Sequence, residues 1–429
     1  ILRTGVTSFY VSGFAALQVC KLQVTGWGNT RRITIIINDM KKTKIVATIS
    51  DKRCEVEFLE KLYRAGMNVV RLNTAHQDME QALKVVENVR KVSDNIAILI
   101  DTKGPEVRTM LMDEPMHVDR GETIYLTGDP DLKMEGKLIR VSYPYFAEDI
   151  KVGDKVLVDD GDVELVVVEK KDHYLEMMVT NEAVIKNRKS VNVPGASLKL
   201  KSLSDKDRAF IDFAIDNNLD FIAHSFVRNK EDVMAIQAIL DARGSKIKVI
   251  AKIENQEGVD NIDEILDYAY GVMVARGDLG IEIEAEKIPK IQRYIVKICI
   301  ESKKPVIIAT QMLHTMIEHP RPTRAEISDI ANAVYMGTDA IMLSGETAYG
   351  AYPEEAVTVM REVAEENEGT VPPDAGRSLV RINNEITAAL ARSAVKTALM
   401  LPIKAIVVDT LSGRTARYLS AFRSDLPVY

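Results

Sequence analysis

Eight short apolar runs recur along this chain, and nearly every one ends in polar or charged residues before a segment with helical periodicity. The runs cover residues 45–49, 68–72, 96–100, 221–223, 246–253, 271–275, 306–309 and 340–343. Short apolar runs that alternate with helices are typical of parallel β/α units. They predict a (β/α)8 barrel with a functional site at the carboxyl ends of its strands. A doubly wound parallel sheet is the alternative fold, but it does not normally place polar clusters at so many strand ends.

Two other segments lack the regular alternation of strands and helices that marks the barrel repeats. Residues 106–193 carry short alternating runs separated by turn signals, which predict a small β-domain inserted into the barrel. Helices at 385–399 and 412–422 flank one predicted buried strand at 405–408, which indicates an incomplete α/β domain because one strand cannot form a sheet. The expected units are an N-terminal extension at 1–39, a barrel at 40–104 and 195–370, an inserted β-domain at 105–194, and a partial C-terminal domain at 371–429.

Composition excludes several classes of protein. A chain of 429 residues is too long for one compact domain, and its 46% hydrophobic content is ample for globular cores. A net charge of −7 without blocks of like charge argues against a nucleic-acid partner. The three cysteines lie far apart, so neither a disulfide framework nor a zinc site is expected. No apolar run is long enough to span a bilayer, and a cytoplasmic location is predicted.

The segment 249–282 joins two predicted strands through a helix and concentrates charge at both strand ends. Lys252 and Glu254 lie on one face of the first strand, and Gly277 and Asp278 follow the second. Because parallel strands end at the same edge, these groups are expected to share a site. Two carboxylates would hold Mg²⁺ together with water or substrate oxygens, leaving Lys252 to face developing negative charge. The alternative is a structural ion pair at ordinary strand ends.

Six motifs stand out from Lys41 onward: MNVVRLN, DTKGPEVRT, VIAKIENQEGV, VMVARGDLGIE, ATQML and IMLSGETAYGAYPEEAV. In sequence and in order, they resemble the motifs of the pyruvate kinase family. The resemblance implies a barrel with an inserted β lid and a C-terminal regulatory domain, assembled as a homotetramer. It also implies transfer of the phosphoryl group of phosphoenolpyruvate to ADP, giving pyruvate and ATP. No family counterpart is expected for residues 1–39.

The resemblance implies roles for residues at the strand ends. Lys252 is expected to stabilise the transferring phosphoryl group and the enolate, and Arg71 to contact phosphate. Glu254 and Asp278 would be the ligands of Mg²⁺, or of Mn²⁺ in its place. Gly277 and Asp278 would receive the substrate carboxylate on free backbone N–H groups of a short helical turn. The enolate would be protonated beside Thr310, with a water relay near two further residues, Ser344 and Glu346.

A second set of residues is implied to contact the nucleotide. Arg108 matches a phosphate-contacting arginine of the family, Lys189 matches a nucleotide-contacting lysine of the lid, and His76 is placed to approach the nucleotide. Each has a structural alternative: Arg108, like Arg71, could form an ion pair at a sheet end, and His76 could simply pack. The SGET sequence could likewise serve only as a helix cap.

The resemblance also implies a monovalent cation site. Asn73, Asp101 and Thr102 are the expected K⁺ ligands, and a glutamate at the position of Glu106 accompanies K⁺ dependence in the family. Here Ala75 stands where the family has a serine that supplies an oxygen to K⁺. The chain is therefore expected to require K⁺ and to hold it with one ligand fewer.

Two other functions remain open from the sequence. One is a barrel lyase or aldolase that handles pyruvate enolates with the same carboxylate pair, although the inserted lid and Lys252 argue against it. The other is a non-catalytic relative or an inert fragment. The presence of Glu254, Asp278 and Thr310 speaks against lost catalysis, whereas the short C-terminal segment speaks for it.

Overall fold

The computed structural model describes residues 22–25, 32–35, 41–368, 370, 379–411, 413–424 and 426–428. Strands β1 (Leu22–Thr25) and β2 (Arg32–Ile35) form an antiparallel pair within the predicted N-terminal extension. The predicted boundaries at residues 40 and 371 lie outside the described residues.

The first part of the barrel contains three strands and two helices. Its elements are β3 (Lys44–Thr48), α1 (Val56–Ala65), β4 (Val69–Asn73), α2 (Met79–Val92) and β5 (Ala97–Asp101). Helix α1 ends at Gly66, whose φ of +124° suits a residue without a side chain. A capping box between Asp78 and Gln81 starts α2. Local sequence therefore sets the end of α1 and the start of α2.

The inserted segment forms a β-domain with a core of its own, as predicted. Its elements are β6 (Met116–Val118), β7 (Thr123–Thr127), β8 (Leu138–Arg140), α3 (Phe146–Asp149), β9 (Lys155–Val158), β10 (Val163–Lys170), β11 (Leu175–Val179), β12 (Ala183–Ile185) and β13 (Val191–Asn192). Six strands form a sheet in the order β13-β9-β10-β11-β7-β8, and β12 pairs with β6. Alternate residues of β10, such as Val163 and Leu165, are buried.

The chain then returns to the barrel. The elements are α4 (Asp205–Asp216), β14 (Phe221–His224), α5 (Lys230–Ala242), β15 (Lys248–Ile253), α6 (Gln256–Asp260), α7 (Ile262–Tyr268), β16 (Gly271–Ala275), α8 (Arg276–Glu282), α9 (Ile288–Glu301), β17 (Val306–Ala309), α10 (Arg324–Tyr335), β18 (Ala340–Leu343), α11 (Gly345–Ala348) and α12 (Pro353–Glu368). Short 3₁₀ helices cover Ala285–Lys287 and His314–Ile317.

Eight parallel strands close into a barrel in the order β14-β15-β16-β17-β18-β3-β4-β5. One set of alternating strand residues, including Val69, Leu99 and Ile250, forms a separate apolar cluster drawn from all eight strands. The other set packs with the surrounding helices in a larger cluster. The predicted (β/α)8 barrel is therefore confirmed, and the doubly wound alternative is excluded because β5 also pairs with β14.

The C-terminal segment contains α13 (Glu385–Met400) and α14 (Arg414–Ala421), which pack on each other. The predicted buried strand at 405–408 is wrong. Within the described residues, Ile406 makes only an isolated parallel bridge with Val428, and Val407 is 66% exposed. A strand needs a partner along its length, and one bridge does not provide it.

In the described part of the chain, no helix is both long and apolar enough to cross a membrane. Cys54 and Cys299 are buried and free, whereas Cys20 lies outside the described residues.

Arg423 links the C-terminal segment to the bottom of the barrel. Its guanidinium forms a two-pronged ion pair with the buried carboxylate of Asp339, with Nη2 2.7 Å from Oδ2. Asp339 also accepts a hydrogen bond from the backbone N–H of Val306 at 2.9 Å. Asp339 directly precedes β18 and Val306 begins β17, so this ion pair ties the segment to the starts of two barrel strands.

We predict that Arg423→Met weakens the attachment of the C-terminal segment. The change leaves the Asp339 carboxylate buried without its cation, and we expect a loss of about 2–3 kcal/mol because Arg423 itself is partly exposed. The measurement is the first urea unfolding transition followed by circular dichroism. Arg414→Met, an exposed change in the same segment, serves as the control. Equal transitions in the two variants would contradict the prediction.

Candidate functional site

Polar side chains continue the inward-facing rows of the barrel at its carboxyl end. Lys252 lies two residues beyond Ile250 in β15, Arg71 two beyond Val69 in β4, and Asp101 two beyond Leu99 in β5. Because side chains alternate along a strand, each polar group points toward the same space as the apolar residue before it. The strands β4, β5, β14 and β15 are consecutive in the barrel, so these groups meet.

These groups form a cluster that we call the rim cluster, made of Arg71, Asp101, Ser225, Lys252 and Glu254. Asp101 lies between two cations: its Oδ2 accepts from Arg71 Nε at 2.6 Å, and its Oδ1 is 3.1 Å from Lys252 Nζ. Lys252 Nζ also lies 2.8 Å from Glu254 Oε1 and donates to Ser225 Oγ at 2.7 Å. All five side chains are at least nine-tenths buried. The predicted sharing of one site by Lys252 and Glu254 is thus observed.

Charge balance in the rim cluster determines its protonation. Burial alone would lower the pKa of Lys252, but Asp101 and Glu254 outweigh it and raise that pKa above its ordinary value. Burial opposes ionisation of Asp101 as well, yet Arg71 and Lys252 lower its pKa. Lys252 is therefore a cation and Asp101 an anion at neutral pH.

Glu254 has oxygens suited to a hard cation. Burial raises the pKa of Glu254 to about 7, opposed by Lys252 and reinforced by Asp278. Its Oε2 accepts from the backbone N–H of Phe226 at 2.6 Å, whereas buried Oε1 lies 2.8 Å from Lys252 Nζ. Carboxylate oxygens are the ligands that a hard divalent cation prefers, and Asp278 supplies a second carboxylate near Glu254. Two residues do not make a complete cage, and no cluster of three potential ligands occurs in the described residues.

Thr310 and Gly277 are in direct contact. The backbone N–H of Gly277 donates to Thr310 Oγ1 at 2.8 Å. The expectation that this N–H is free for a substrate carboxylate is therefore wrong, because the threonine hydroxyl already occupies it. Thr310 has a φ of +67°, which is strained for a β-branched residue. Arg276 supports this turn by donating from Nη2 to the Thr310 carbonyl at 2.6 Å while pairing with Asp329.

Glu346 is buried and engaged by two backbone groups. Its Oε2 accepts from the N–H of Ser344 at 2.7 Å, and its Oε1 accepts from the N–H of Leu313 at 3.1 Å. The Ser344 side chain makes no capping bond to α11, so the capping alternative is not observed for that hydroxyl. Glu346 thus holds the loop that follows Thr310 against the start of α11.

The expected K⁺ ligands lie on neighbouring strand ends. Asn73 and Asp101 are register partners in β4 and β5, and Thr102 follows directly. Asn73 Oδ1 accepts from the N–H of Ala75 at 3.1 Å, and the Thr102 carbonyl accepts from Ser225 Oγ at 2.7 Å. The site is rich in oxygen, as a K⁺ site requires, although several of these oxygens already accept hydrogen bonds.

The expected nucleotide residues lie on the inserted domain and on one barrel loop. Arg108 Nη2 pairs with Glu106 at 2.6 Å, and Lys189 Nζ pairs with Asp159 at 2.7 Å. Arg108 forms an antiparallel bridge with Ser190, so Arg108 and Lys189 lie on paired backbone segments. His76 is exposed on the loop after β4, and the structure gives no contact between its ring and either cation.

Ser225, Phe226 and Arg276 were not assigned roles from the sequence. Ser225 follows β14, and the alternation that selects Lys252 also selects Ser225, two residues beyond the buried Ala223. The signal was therefore present for Ser225. The contribution of Phe226 comes from its backbone N–H, which no sequence pattern reveals. Arg276 pairs with Asp329, which lies 53 residues away in the sequence.

Models of known protein families match both the barrel and the C-terminal segment. Residues 40–357 match the family model described as "Pyruvate kinase, barrel domain", and residues 388–429 match "Pyruvate kinase, alpha/beta domain".

Individual relatives agree with these matches. The chain is 50% identical to a pyruvate kinase of Borreliella burgdorferi, over 91% of this chain and 82% of the relative. It is 45% identical to a pyruvate kinase of Geobacillus stearothermophilus, over 90% and 68% respectively. A crystal structure of a pyruvate kinase from Cryptosporidium parvum superposes with a TM-score of 0.86 at 40% identity, covering 90% of this chain and 82% of that one. The chain with this rim cluster belongs to the pyruvate kinase family.

Proposed function

We propose that this chain transfers the phosphoryl group of phosphoenolpyruvate to ADP at the rim cluster, giving pyruvate and ATP. The observation that carries the proposal is the buried Lys252 ammonium, fixed between Asp101 and Glu254 at the open end of the barrel. A cation held in place before the reaction stabilises charge that develops in the transition state, and that effect is usually the largest in such catalysis.

Lys252 and Arg71 act on the transferring group. In phosphoryl transfer the bond from phosphorus to the enol oxygen breaks while a bond to a β-phosphate oxygen of ADP forms, with negative charge spread over the remaining oxygens. Asp101 fixes both cations, and Arg71 also donates to Thr48 Oγ1 at 3.1 Å. Arg71 then binds phosphate, and Lys252 stabilises the transferring group and the enolate oxygen that is left.

Glu254 and Asp278 would hold the divalent cation. When bound, Mg²⁺ or Mn²⁺ supplies a positive charge that neutralises substrate oxygens. The Phe226 N–H engages Oε2 of Glu254 and Lys252 Nζ lies 2.8 Å from Oε1, so these two contacts orient the carboxylate.

The second step is protonation of the enolate at carbon. We assign Thr310 to the face where the proton arrives, with Ser344 and Glu346 lining the water path. Glu346 connects to the Thr310 loop through the Leu313 N–H. The substrate carboxylate is assigned to the turn of Gly277 and Asp278, next to Thr310 rather than on the Gly277 N–H.

Nucleotide binding is assigned to the lid and to the loop after β4. Arg108 and Lys189 lie on paired segments of the lid, and both side chains carry cations suited to phosphate oxygens. His76 is exposed on the barrel side. Closing the lid would exclude water from the phosphoryl group, which strengthens the charge interactions in the rim cluster.

The family assignment also motivates proposals about assembly and location. We propose a homotetramer in the cytoplasm. Light scattering of the purified chain measures the assembly, and a monomeric mass would contradict it.

A coupled assay tests the proposed reaction. Purified chain, phosphoenolpyruvate and ADP are mixed with Mg²⁺ and K⁺, and pyruvate is measured through its reduction. We expect pyruvate to form only when ADP is present. Enolate chemistry independent of ADP would favour a lyase or aldolase, and no turnover would favour a non-catalytic relative.

We predict that Lys252→Met abolishes most turnover while binding of phosphoenolpyruvate largely remains. The lost stabilisation is about 3–4 kcal/mol, which is two to three decades in kcat. Steady-state kinetics and substrate titration measure the two effects. Lys248→Met, at the other end of the same strand, should stay near wild type. A Lys252→Met enzyme with comparable kcat would remove this residue from its role.

We predict that Glu254→Gln weakens the divalent cation site. The amide removes one negative charge and one good oxygen ligand, so half-maximal activity should need about tenfold more Mg²⁺. The matched control is Glu264→Gln, which changes a partly exposed ion pair with Lys230. An unchanged Mg²⁺ titration in Glu254→Gln would contradict the ligand assignment.

We predict that activity rises with K⁺ and that Ala75→Ser lowers the half-saturating K⁺ concentration about two- to fivefold. A serine oxygen would add a ligand beside Asn73, where water now has to serve, at a modest cost in ordering. Ala75→Cys is the control, because sulfur is a poor ligand for a hard cation. Full activity without K⁺ or Na⁺ would show that Glu106 has been misinterpreted. An unchanged K⁺ dependence in Ala75→Ser would mean that Thr74, or a water that binds as well as a serine oxygen, already fills the position.

A further inference from the structure

We infer that the turn formed by Ser225 and Phe226, at the end of β14, is a positioning element that holds Lys252 and Glu254 at the same time. The inference rests on the roles proposed for those two residues. Neither Ser225 nor Phe226 is assigned to bind substrate or metal. Their effect comes through the two groups that they orient.

Ser225 anchors the Lys252 ammonium with a neutral acceptor. Lys252 Nζ donates to Ser225 Oγ at 2.7 Å. That hydroxyl lies 2.7 Å from the Thr102 carbonyl and 3.1 Å from Asp101 Oδ1, so its own proton has an acceptor on the far side. Ser225 is only 2% exposed, which means that water cannot easily replace it.

The neutral character of Ser225 matters for the reaction. The other two contacts of the Lys252 ammonium are the carboxylates of Asp101 and Glu254. Those carboxylates attract the ammonium away from an incoming phosphoryl group, whereas a hydroxyl fixes its direction without adding negative charge. Ser225 therefore holds Lys252 in place at a low electrostatic cost to the transition state.

Phe226 orients Glu254 through its backbone. Its N–H donates to Glu254 Oε2 at 2.6 Å, and its φ of +55° lies in the left-handed region that a bulky side chain rarely adopts. The unusual conformation turns this N–H toward the carboxylate. The other oxygen, Glu254 Oε1, then lies 2.8 Å from Lys252 Nζ. Strain of this kind persists where surrounding contacts enforce it.

Gly104 supplies the contact that keeps the turn in place. It packs directly under the turn, with a φ of +69°. A Cβ on Gly104 would lie 2.8 Å from Ser225 Cβ, 3.0 Å from the Ser225 carbonyl oxygen and 3.1 Å from the Phe226 ring. Only glycine allows the loop after β5 to approach this closely. The loop that follows Asp101 and the turn after β14 therefore constrain each other.

The main test is the kinetics of Ser225→Ala. We expect kcat to fall about tenfold, as loss of one hydrogen bond to a charged group implies, while the KM for phosphoenolpyruvate changes less than threefold. Ser302→Ala is the matched control, since Ser302 is equally buried but bonds Arg381 away from the rim cluster. It should retain wild-type kcat.

Ser225→Cys separates hydrogen bonding from packing. The thiol is somewhat larger than the hydroxyl, so it leaves no cavity, but it is a weak acceptor. If Ser225 acts by holding the ammonium, the cysteine variant should remain impaired. Recovery of full kcat in Ser225→Cys would assign the effect to packing and would overturn the inference.

Gly104→Ala tests the turn without activity as the readout. The added methyl should displace the turn, so that Mn²⁺ titrated alone onto the full chain binds several-fold more weakly. Gly280→Ala, where an added Cβ meets nothing within 4 Å, is the control and should leave Mn²⁺ binding unchanged. Equal Mn²⁺ affinities in the two variants would contradict the role of the turn in orienting Glu254.

The Lys252→Met variant distinguishes failure of the proposed function from failure of the positioning inference. If Lys252→Met retains full turnover, the role of Lys252 itself fails. If Lys252→Met is inactive while Ser225→Ala keeps wild-type kcat, only the positioning inference fails.

Discussion

The site depends on one buried carboxylate between two buried cations. Asp101 is 1% exposed and contacts both Arg71 and Lys252, which would otherwise repel each other across a space of low polarity. Burying such charges is costly, and apolar residues of similar volume often give equal or greater stability. An ion cluster of this kind is therefore poorly explained as a stability device. Its position at the rim, where the enzyme must meet an anionic substrate, gives it a functional explanation.

Strained backbone also occurs at the rim. Thr310, Gln311 and Phe226 are non-glycine residues with positive φ, and each lies just beyond a barrel strand. The closed sheet below them is regular and apolar, so it can support strained turns without losing its register. The strain directs particular groups: the Phe226 N–H points to Glu254, and the Thr310 hydroxyl accepts from Gly277. Rigid strands and strained ends together fix the geometry of the site.

Several features were predictable because they follow from periodicity. The alternation that buries Ile250 inside the barrel also places Lys252 at its rim, and the same rule applies to Arg71 and Asp101. The strand predicted at 405–408 failed because local β propensity does not provide a pairing partner, and Val407 is left exposed. The free N–H expected at Gly277 failed because Thr310, from another strand, occupies it. Both errors concern contacts between segments distant in sequence.

The sequence by itself determined the barrel, the inserted β-domain and the inward direction of the rim residues, since each follows from the spacing of apolar and polar residues along a strand or helix. The tertiary structure alone decided which groups pair. Lys252 meets Ser225 across 27 positions, and Gly104 meets the turn after β14 because the barrel closes between β5 and β14. Such contacts depend on distances between strands rather than along them, and one-dimensional periodicity carries no record of those distances.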